Sequence, residues 1–304
     1  MTTDISDTPA AGPLTLTEPA PGGSRSTGPD RAPNRIGIVI GSIVIVAVFV
    51  APYLLMLLGS LKTQQEITSI PPPFGLPSGP HFENYVNVWS SQVAPFNGLV
   101  ATVVISVGAT VLVLLVATPA AYYLARFRFP GRLAFLFLVL ITQMLQPTVL
   151  AIGLFKEFLT WTGHMSWVAL ILVNGAFNLA FAIWIMQAFF ASVPKEVDEA
   201  AVVDGAGRFQ VLFKISLPLV WPGVVTAMVF VFVNSWNEYA AASVMVQDNK
   251  LQPLTVSLPK FFGFYSQDWQ YVFTVATVAI VPVVVLFSFV EKRLIGGLTA
   301  GAVK

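Results

Sequence analysis

The acidic residues that could take part in chemistry cluster in one short segment, residues 193–216. Small and apolar residues separate four carboxylates there, namely Glu196, Asp198, Glu199 and Asp204. A helix lying flat on a bilayer would instead favour lysine and arginine on its polar face, because these residues suit anionic lipids. The acidic residues therefore favour recognition of another protein over attachment to the membrane surface.

The same segment predicts two short helices joined by a sharp turn. Pro194 suits the opening of a helix over Lys195–Asp204, and acidic residues in the first turn suit the helix dipole. Gly205 stands where that helix should end, since glycine adopts a left-handed conformation without strain. Ala200 and Ala201 leave one surface small, which permits close approach by a partner. The apolar face of the second helix is predicted to contain Phe209, Leu212, Phe213 and Ile215. We call residues 193–216 the elbow.

The chain as a whole is too apolar for a soluble protein. Hydrophobic residues make up 56% of its 304 residues and charged residues only 10%, against about 25% charged in soluble domains. The net charge of +1 gives no footprint for nucleic acid, and the lack of cysteine excludes disulfides and thiolate metal sites. His81 and His164 match no metal or catalytic spacing. Composition thus predicts an integral membrane protein without enzyme activity or a metal site.

Six apolar runs are long enough to cross a bilayer as helices. The first run, residues 36–58, has no charged residue and as a helix would cover about 34 Å, against a hydrocarbon core of about 30 Å. The runs are too long and too continuously apolar for the strands of a β-barrel. The predicted spans are 36–58, Gly98–Leu124, Leu133–Phe155, Trp167–Phe190, Leu217–Trp236 and Gln270–Val290. We therefore predict an all-α integral membrane protein of six transmembrane helices, with the elbow between the fourth and fifth.

Composition and charge divide the rest of the chain. Residues 1–35 are rich in proline, glycine, serine and threonine, which predicts a disordered tail. Residues 59–97 form a long connection, 98–293 a core of five helices, and 294–304 a second tail. Of the 16 lysine and arginine residues, 12 fall on the side of the two tails and the elbow, and four on the other. The positive-inside rule thus predicts cytoplasmic termini, a cytoplasmic elbow and an extracytoplasmic 59–97 connection.

Amide side chains within the spans are candidates for a polar translocation path. They occur in pairs three or four residues apart, which places each pair on one helix face. The candidates are Gln143, Gln146, Asn174, Asn178, Asn234 and Asn237. Amides inside membranes also hold helices together, so both roles stay open. Glu238, the acid near a span, would lie about 31 Å along the helix from Leu217, at the outer surface, so no ion relay is expected there.

Two sets of motifs resemble a known family of membrane proteins. The elbow resembles the EAA loop of binding-protein-dependent ABC importer permeases in the run Glu199-Ala200-Ala201-x-x-Asp204-Gly205-Ala206, followed by Phe213-x-Ile215-x-Leu217-Pro218-x-x-x-Pro222-Gly223. The run Trp236-Asn237-Glu238-Tyr239 and the chain end Gly297–Lys304 are similar to the carbohydrate branch. Within that branch the chain resembles the second, six-helix membrane subunit of maltose-type importers, over residues 36–304.

The resemblance implies how the elbow would work and what it would work with. Residues 195–208 would form a coupling helix in a groove of an ATPase subunit, where Glu199 pairs with a basic residue and Gly205 permits the turn. The implied partners are a homologous membrane subunit, two ATP-binding cassette subunits and an extracytoplasmic sugar-binding protein, in a bacterial or archaeal cell membrane. ATP and Mg²⁺ would bind those ATPase subunits, because this chain contains no G-x-x-x-x-G-K-[ST] phosphate loop.

The alternative interpretation is a secondary transporter driven by protons or sodium. Such a transporter needs carboxylates or histidines inside its spans to couple ion movement to transport. The predicted spans contain almost none, and the elbow would have no role. The sequence therefore favours the permease subunit of an ATP-driven sugar importer.

Overall fold

The computed structural model describes residues 35–91, 93–144, 147–162, 167–263 and 268–299. Within these ranges the regular structure is helical and contains no β-strand. The chain divides into two compact units, Met1–Val50 and Ala51–Lys304. The described part of the first unit is the N-terminal half of one long helix. The predicted tail 1–35 lies outside the described residues except for Arg35, and residues 294–299 of the second predicted tail are helical.

The helices differ widely in length, from single turns to more than thirty residues. In chain order they are α1 (Arg35–Ser60), α2 (Gln64–Thr68), α3 (Asn84–Asn87), α4 (Pro95–Arg126), α5 (Arg132–Thr142), α6 (Pro147–Thr162), α7 (Trp167–Ser192), α8 (Lys195–Val203), α9 (Arg208–Gln210), α10 (Leu217–Leu219), α11 (Trp221–Trp236), α12 (Ala240–Met245), α13 (Leu254–Ser257) and α14 (Trp269–Thr299). Short 3₁₀ turns follow α3 and α13, and a π-helix, Val211–Ser216, joins α9 to α10.

Four described helices are long and apolar enough to span a membrane. They are α1, α4, α7 and the first 23 residues of α14, Trp269–Glu291. A fifth span exists if the segments Arg208–Leu219 and Trp221–Trp236 count as one, although they meet at an angle of 81°. The all-α membrane architecture is therefore confirmed, with four or five candidate spans among the described residues.

The continuous helix predicted over Leu133–Phe155 is wrong, because two shorter helices, α5 and α6, occupy this stretch. The helix α5 ends at Thr142, and α6 begins at Pro147. Proline lacks the N–H that a helix interior requires, and it disfavours helical backbone in the residue before it. Sequence hydropathy detected the apolar run but not this interruption.

The predicted span Leu217–Trp236 is likewise divided. Val220 stands between α10 and α11 with φ −96° and ψ 15°, outside the α-helical region. Pro222 follows two residues later, and its ring would clash with the carbonyl of Pro218 in a continuous helix. The bend therefore has a local cause in the two prolines, and it separates the elbow from the apolar helix α11.

Small residues let α4, α7 and α11 pack closely around a common core. The residues fully or nearly fully buried there include Ala117, Ala121, Ala182, Met186, Phe190, Ala227 and Val231. A Cβ atom on Gly223 would lie 2.4 Å from Cγ of Phe189, so α11 reaches α7 only because this position is glycine. Close backbone approach through small residues is how helices associate in lipid, where the hydrophobic effect contributes little.

The connection 59–97 contains an ordered polar network as well as short helices. The side chain of Asn84 donates to the carbonyls of Ser60 and Lys62 at 2.9 and 3.0 Å. Glu66 accepts from the backbone N–H of Thr63 and from both the N–H and the hydroxyl of Ser78. These hydrogen bonds lower the pKa of Glu66 to about 2. The connection is thus tied to the end of α1 by hydrogen bonds.

Candidate functional site

The first helix of the elbow has the predicted form. The helix α8 covers Lys195–Val203, and Gly205 follows with φ +87°. The N–H of Gly205 donates to the carbonyl of Val202, and that of Ala206 to the carbonyl of Ala201, both at 3.0 Å. These two bonds form a Schellman C-cap, which requires a left-handed residue at the glycine position. The predicted helix and its glycine terminator are confirmed.

The second half of the elbow differs from the prediction. Leu212 is buried as expected, but Phe209 is 78% exposed and Phe213 is 51% exposed. Val211 and Ser216 are buried instead. Val211–Ser216 form a π-helix, whose i→i+5 hydrogen bonds change the residue spacing of each face, and Phe213 lies within it. Phe209 lies before it, in α9. The predicted apolar face assumed ordinary α-helical spacing, and its four residues do not share one environment, since Ile215 is intermediate.

The EAA-type residues divide between two faces of α8. Ala201 is buried at 8% exposure, whereas Glu199, Ala200, Asp204 and Gly205 are exposed and Ala206 is intermediate. Two apolar side chains stand beside the exposed set, Val202 at 56% and Val203 at 86% exposure. Val202 and Val203 follow Glu199 at i+3 and i+4, so they share its side of α8, and Phe209 is exposed after the turn. Such a mixture is typical of a protein contact surface.

The inner face of α8 carries a buried carboxylate, Asp198. The hydroxyl of Ser216 donates to Oδ1 at 2.7 Å, and that of Tyr122 donates to Oδ2 at 3.0 Å. Nε of Arg126 lies 2.6 Å from Oδ2 in an ion pair whose side chains are 6% and 11% exposed. We call these four residues the Asp198 junction. The junction joins α8 to the end of α4 and to the π-helix.

Arg126 makes further contacts that hold the junction. Its Nη1 donates to the carbonyl of Val193 at 2.7 Å, just after α7. Its own carbonyl accepts from Nζ of Lys195 at 3.4 Å. In sequence, Asp198 groups with the other acids of the elbow, and its role in the junction was not predicted. Asp198 and Ala201 are three residues apart, which places both on the buried face of α8.

The amide candidates in the middle of α7 are buried within the chain. Asn174 and Asn178 are 2% and 8% exposed. Their Nδ2 atoms donate to carbonyls one turn earlier in the same helix, of Leu170 at 3.0 Å and of Asn174 at 2.8 Å. Their donors are satisfied inside α7 itself.

The other amide candidates lie on the surface of the chain where they are described. Asn234 and Asn237 are exposed and donate to Phe230 and Val233 carbonyls. Gln143 is exposed, and its Nε2 donates to the carbonyl of Phe177 at 2.9 Å. Gln146 lies outside the described residues. Two of the five described amides are buried and three are exposed, so the structure does not bring these five together on one surface.

Glu238 has a structural role that its position in the sequence did not suggest. Its two carboxylate oxygens accept from the N–H groups of Ala241 and Ala242, at 2.6 and 3.0 Å. Carboxylates stabilise the first turn of a helix in this way. The residue therefore caps α12 and fixes the turn that follows α11.

The family model of the binding-protein-dependent transport system inner membrane component matches residues 117–298. This match covers the elbow, all four residues of the Asp198 junction and the helices α5 to α13. The chain belongs to this family. The expected class, a membrane subunit of a transport system, is thus confirmed.

Curated relatives match almost the whole chain. An inner membrane ABC transporter permease protein of Escherichia coli, YcjP, is 31% identical over 90% of this chain and 98% of that protein. A diacetylchitobiose uptake system permease protein of Streptomyces coelicolor, NgcG, is 32% identical over 84% of each chain. A trehalose/maltose transport system permease protein of Thermococcus litoralis, MalG, is 29% identical over 89% of this chain and 97% of that protein. These relatives are permease subunits and not enzymes, as expected for this chain.

A solved structure has the same fold. One chain of a bacterial ABC transporter involved in the import of the acidic polysaccharide alginate superposes with a TM-score of 0.71. The match covers 86% of this chain and 97% of that chain at 23% identity. The helical arrangement described above is thus that of an ABC importer permease.

Proposed function

We propose that this chain is the membrane-spanning permease subunit of an ATP-driven importer, and that the elbow receives the movement of an ATPase subunit. The observation that carries the proposal is the exposed side of the elbow, where Glu199, Val202 and Val203 are exposed on α8 and Phe209 is exposed after the turn. Exposed apolar side chains beside one carboxylate suit a groove that offers a basic residue. Bending at Val220 would then transmit the movement to α11.

The proposed assembly contains this chain, a homologous membrane subunit, two ATPase subunits and an extracytoplasmic solute-binding protein. ATP and Mg²⁺ bind the ATPase subunits, and this chain supplies neither nucleotide site nor catalysis. The chain crosses the membrane six times, with α5 and α6 together forming the third crossing. Both termini and the elbow face the cytoplasm, which agrees with 12 of the 16 basic residues on that side.

The transported substrate is proposed to be a carbohydrate. Relatives of this chain are named for uptake of diacetylchitobiose, of trehalose and maltose, and of melibiose, raffinose and stachyose. These substrates are all oligosaccharides or disaccharides, and a sugar exchanges its hydrogen bonds with water for bonds with the protein. The translocation path lies between the two membrane subunits, so exposed Gln143, Asn234 and Asn237 suit its wall better than buried Asn174 and Asn178.

The test is sugar uptake by the complete complex in proteoliposomes. The proposal predicts uptake that requires ATP on the ATPase side and the binding protein on the other, and that persists when proton and sodium gradients are collapsed. Glu199→Lys and Gly205→Pro should abolish uptake, because one reverses the docking charge and the other breaks the C-cap of α8. Both variants should still insert into the membrane.

Two results would contradict the proposal. Uptake driven by an ion gradient without ATP would assign the chain to the secondary transporters. Normal uptake by both elbow variants would remove the coupling role from the elbow. Glu157→Lys makes the same charge reversal at an exposed position of α6 and serves as the matched control, which should keep normal uptake.

A further inference from the structure

The Asp198 carboxylate takes no part in the outward surface of the elbow. It is 8% exposed, whereas Glu199, the next residue in the chain, is exposed. Its partners come from two other segments of the chain, α4 and the π-helix that leads to α10. The carboxylate therefore lies where three segments meet beneath the docking surface.

The contacts at this point oppose movement of α8 relative to α4. Two hydroxyl donors and one guanidinium converge on the same two oxygens, and the pair is shielded from water. A second arm of the same guanidinium bonds the carbonyl of Val193 and so fixes the entry to α8. Breaking such a buried charged network is costly, because each group would lose its partners without gaining water.

We propose that Asp198 is a positioning residue that makes α8, the C-terminal end of α4 and the π-helix one mechanical unit. Movement of the elbow then reaches α4 directly, and not only α11 through the bend at Val220. The proposal rests on the proposed function, because it takes an ATPase subunit as the source of movement. It adds a second route from the elbow into the membrane helices.

The first test measures a distance within the assembled importer. The chain has no cysteine, so spin labels can be placed singly at exposed positions, Tyr123→Cys on α4 and Glu196→Cys on α8. The label distance should be the same, within about 2 Å, with ATP and without nucleotide, since helix shifts in allosteric proteins begin at that size. A change of several ångströms on adding ATP would overturn the proposal, because α8 would then move independently of α4.

The second test compares uptake with ATP hydrolysis. Asp198→Asn keeps the size of the side chain but removes its charge, and uptake per ATP hydrolysed should fall about tenfold. Ser216→Ala removes one donor and should reduce the same ratio about threefold. Ser192→Ala, at an exposed serine whose hydroxyl donates to the Phe189 carbonyl within α7, is the matched control and should leave the ratio unchanged. In the Asp198→Asn complex the Tyr123–Glu196 label distance should also change with ATP.

The outcomes separate this proposal from the proposed function. If ATPase is present but uptake and ATP hydrolysis fall in parallel, Asp198 serves assembly alone and the positioning role is wrong. If the Asp198→Asn variant does not assemble, the Tyr123–Glu196 label distance in the chain with Asp198 intact still tests the proposal, because a change of several ångströms with ATP would contradict it. If no ATPase copurifies with the unaltered chain, the proposed function fails, and this proposal fails with it.

Discussion

The elbow and the interior of α7 both bury polar side chains, but they satisfy them in different ways. Asp198 draws its partners from segments far away in the sequence, Tyr122, Arg126 and Ser216. Asn174 and Asn178 donate to carbonyls four residues earlier in their own helix. The first arrangement joins separate segments, whereas the second keeps the hydrogen bonds of these two side chains within α7.

This difference suits the parts that the two regions would play in the proposed importer. A lever must keep its shape when it is pushed, and buried charged contacts give it one geometry. The side-chain hydrogen bonds of Asn174 and Asn178 stay within α7, so a change in the packing of α7 would not break them.

The largest effect on stability should come from the junction. Asp198→Ala leaves Arg126 buried without its carboxylate, and we expect the free energy of unfolding in detergent to fall by about 3 kcal/mol. The double variant Arg126→Ala, Asp198→Ala should lose less unfolding free energy than the two single variants lose together, because the two side chains interact. If Asp198→Ala lowered the unfolding free energy no more than Asn174→Ala does, the junction would contribute no more to stability than an amide bonded within its own helix.

The turn at the end of α8 should give the next largest effect. Gly205→Ala places a Cβ atom on a residue with φ +87°, which costs about 1–2 kcal/mol in the left-handed region. Gly207→Ala is the matched control, because Gly207 has φ −69° and open space around its Cβ position. The two variants are compared by thermal unfolding in detergent. Equal melting temperatures would mean that the Schellman turn contributes nothing.

Asn174 should contribute least among the buried polar groups. Asn174→Ala removes an amide bonded within its own helix, and we expect a loss of about 0.6 kcal/mol, the average for a side-chain hydrogen bond inside a membrane protein. The same unfolding assay provides the measurement. A loss as large as that of Asp198→Ala would show that α7 depends on this residue for contacts with other helices.

Acid should weaken the hydrogen bonds that Glu66 makes in the connection 59–97, with a small effect on stability. The pKa of Glu66 is lowered to about 2 in the folded chain against 4.5 ordinarily. Its stabilising effect is therefore fully present above pH 4.5 and is lost as the pH falls towards 2. Hydrogen exchange at the Ser78 amide, which donates to Glu66, should accelerate over that range beyond the intrinsic pH dependence. Glu66→Gln should remove this excess, and its persistence in the variant would assign it to another group.

The sequence predicted those features that depend on neighbouring residues. The helix α8, its glycine terminator and the apolar runs follow from local propensity and hydropathy. The breaks between α5 and α6 and at Val220 were missed because hydropathy counts apolar residues and ignores the missing proline N–H. The exposure of Phe213 was missed because it lies in a π-helix, which departs from 3.6-residue spacing.

The contacts of the Asp198 junction could not be predicted from local sequence patterns, because the partners are far apart in the sequence. Tyr122 and Asp198 are 76 residues apart in sequence, and no spacing rule connects them. Only the packing of α4 against α7 brings the end of α4 beneath the elbow. The motif Glu199-Ala200-Ala201 was visible because its residues are adjacent, while the residue that anchors it had no such signature.

The proposed function depends on binding of an ATPase subunit by Glu199 and the exposed apolar residues Val202, Val203 and Phe209. The most direct measurement is affinity purification of the whole chain from mild detergent, with mass spectrometry of the proteins that accompany it. We expect an ATP-binding cassette subunit to copurify with the unaltered chain and with Glu157→Lys, and to be lost with Glu199→Lys. Recovery of equal ATPase with Glu199→Lys, or of none with a folded unaltered chain, would contradict it.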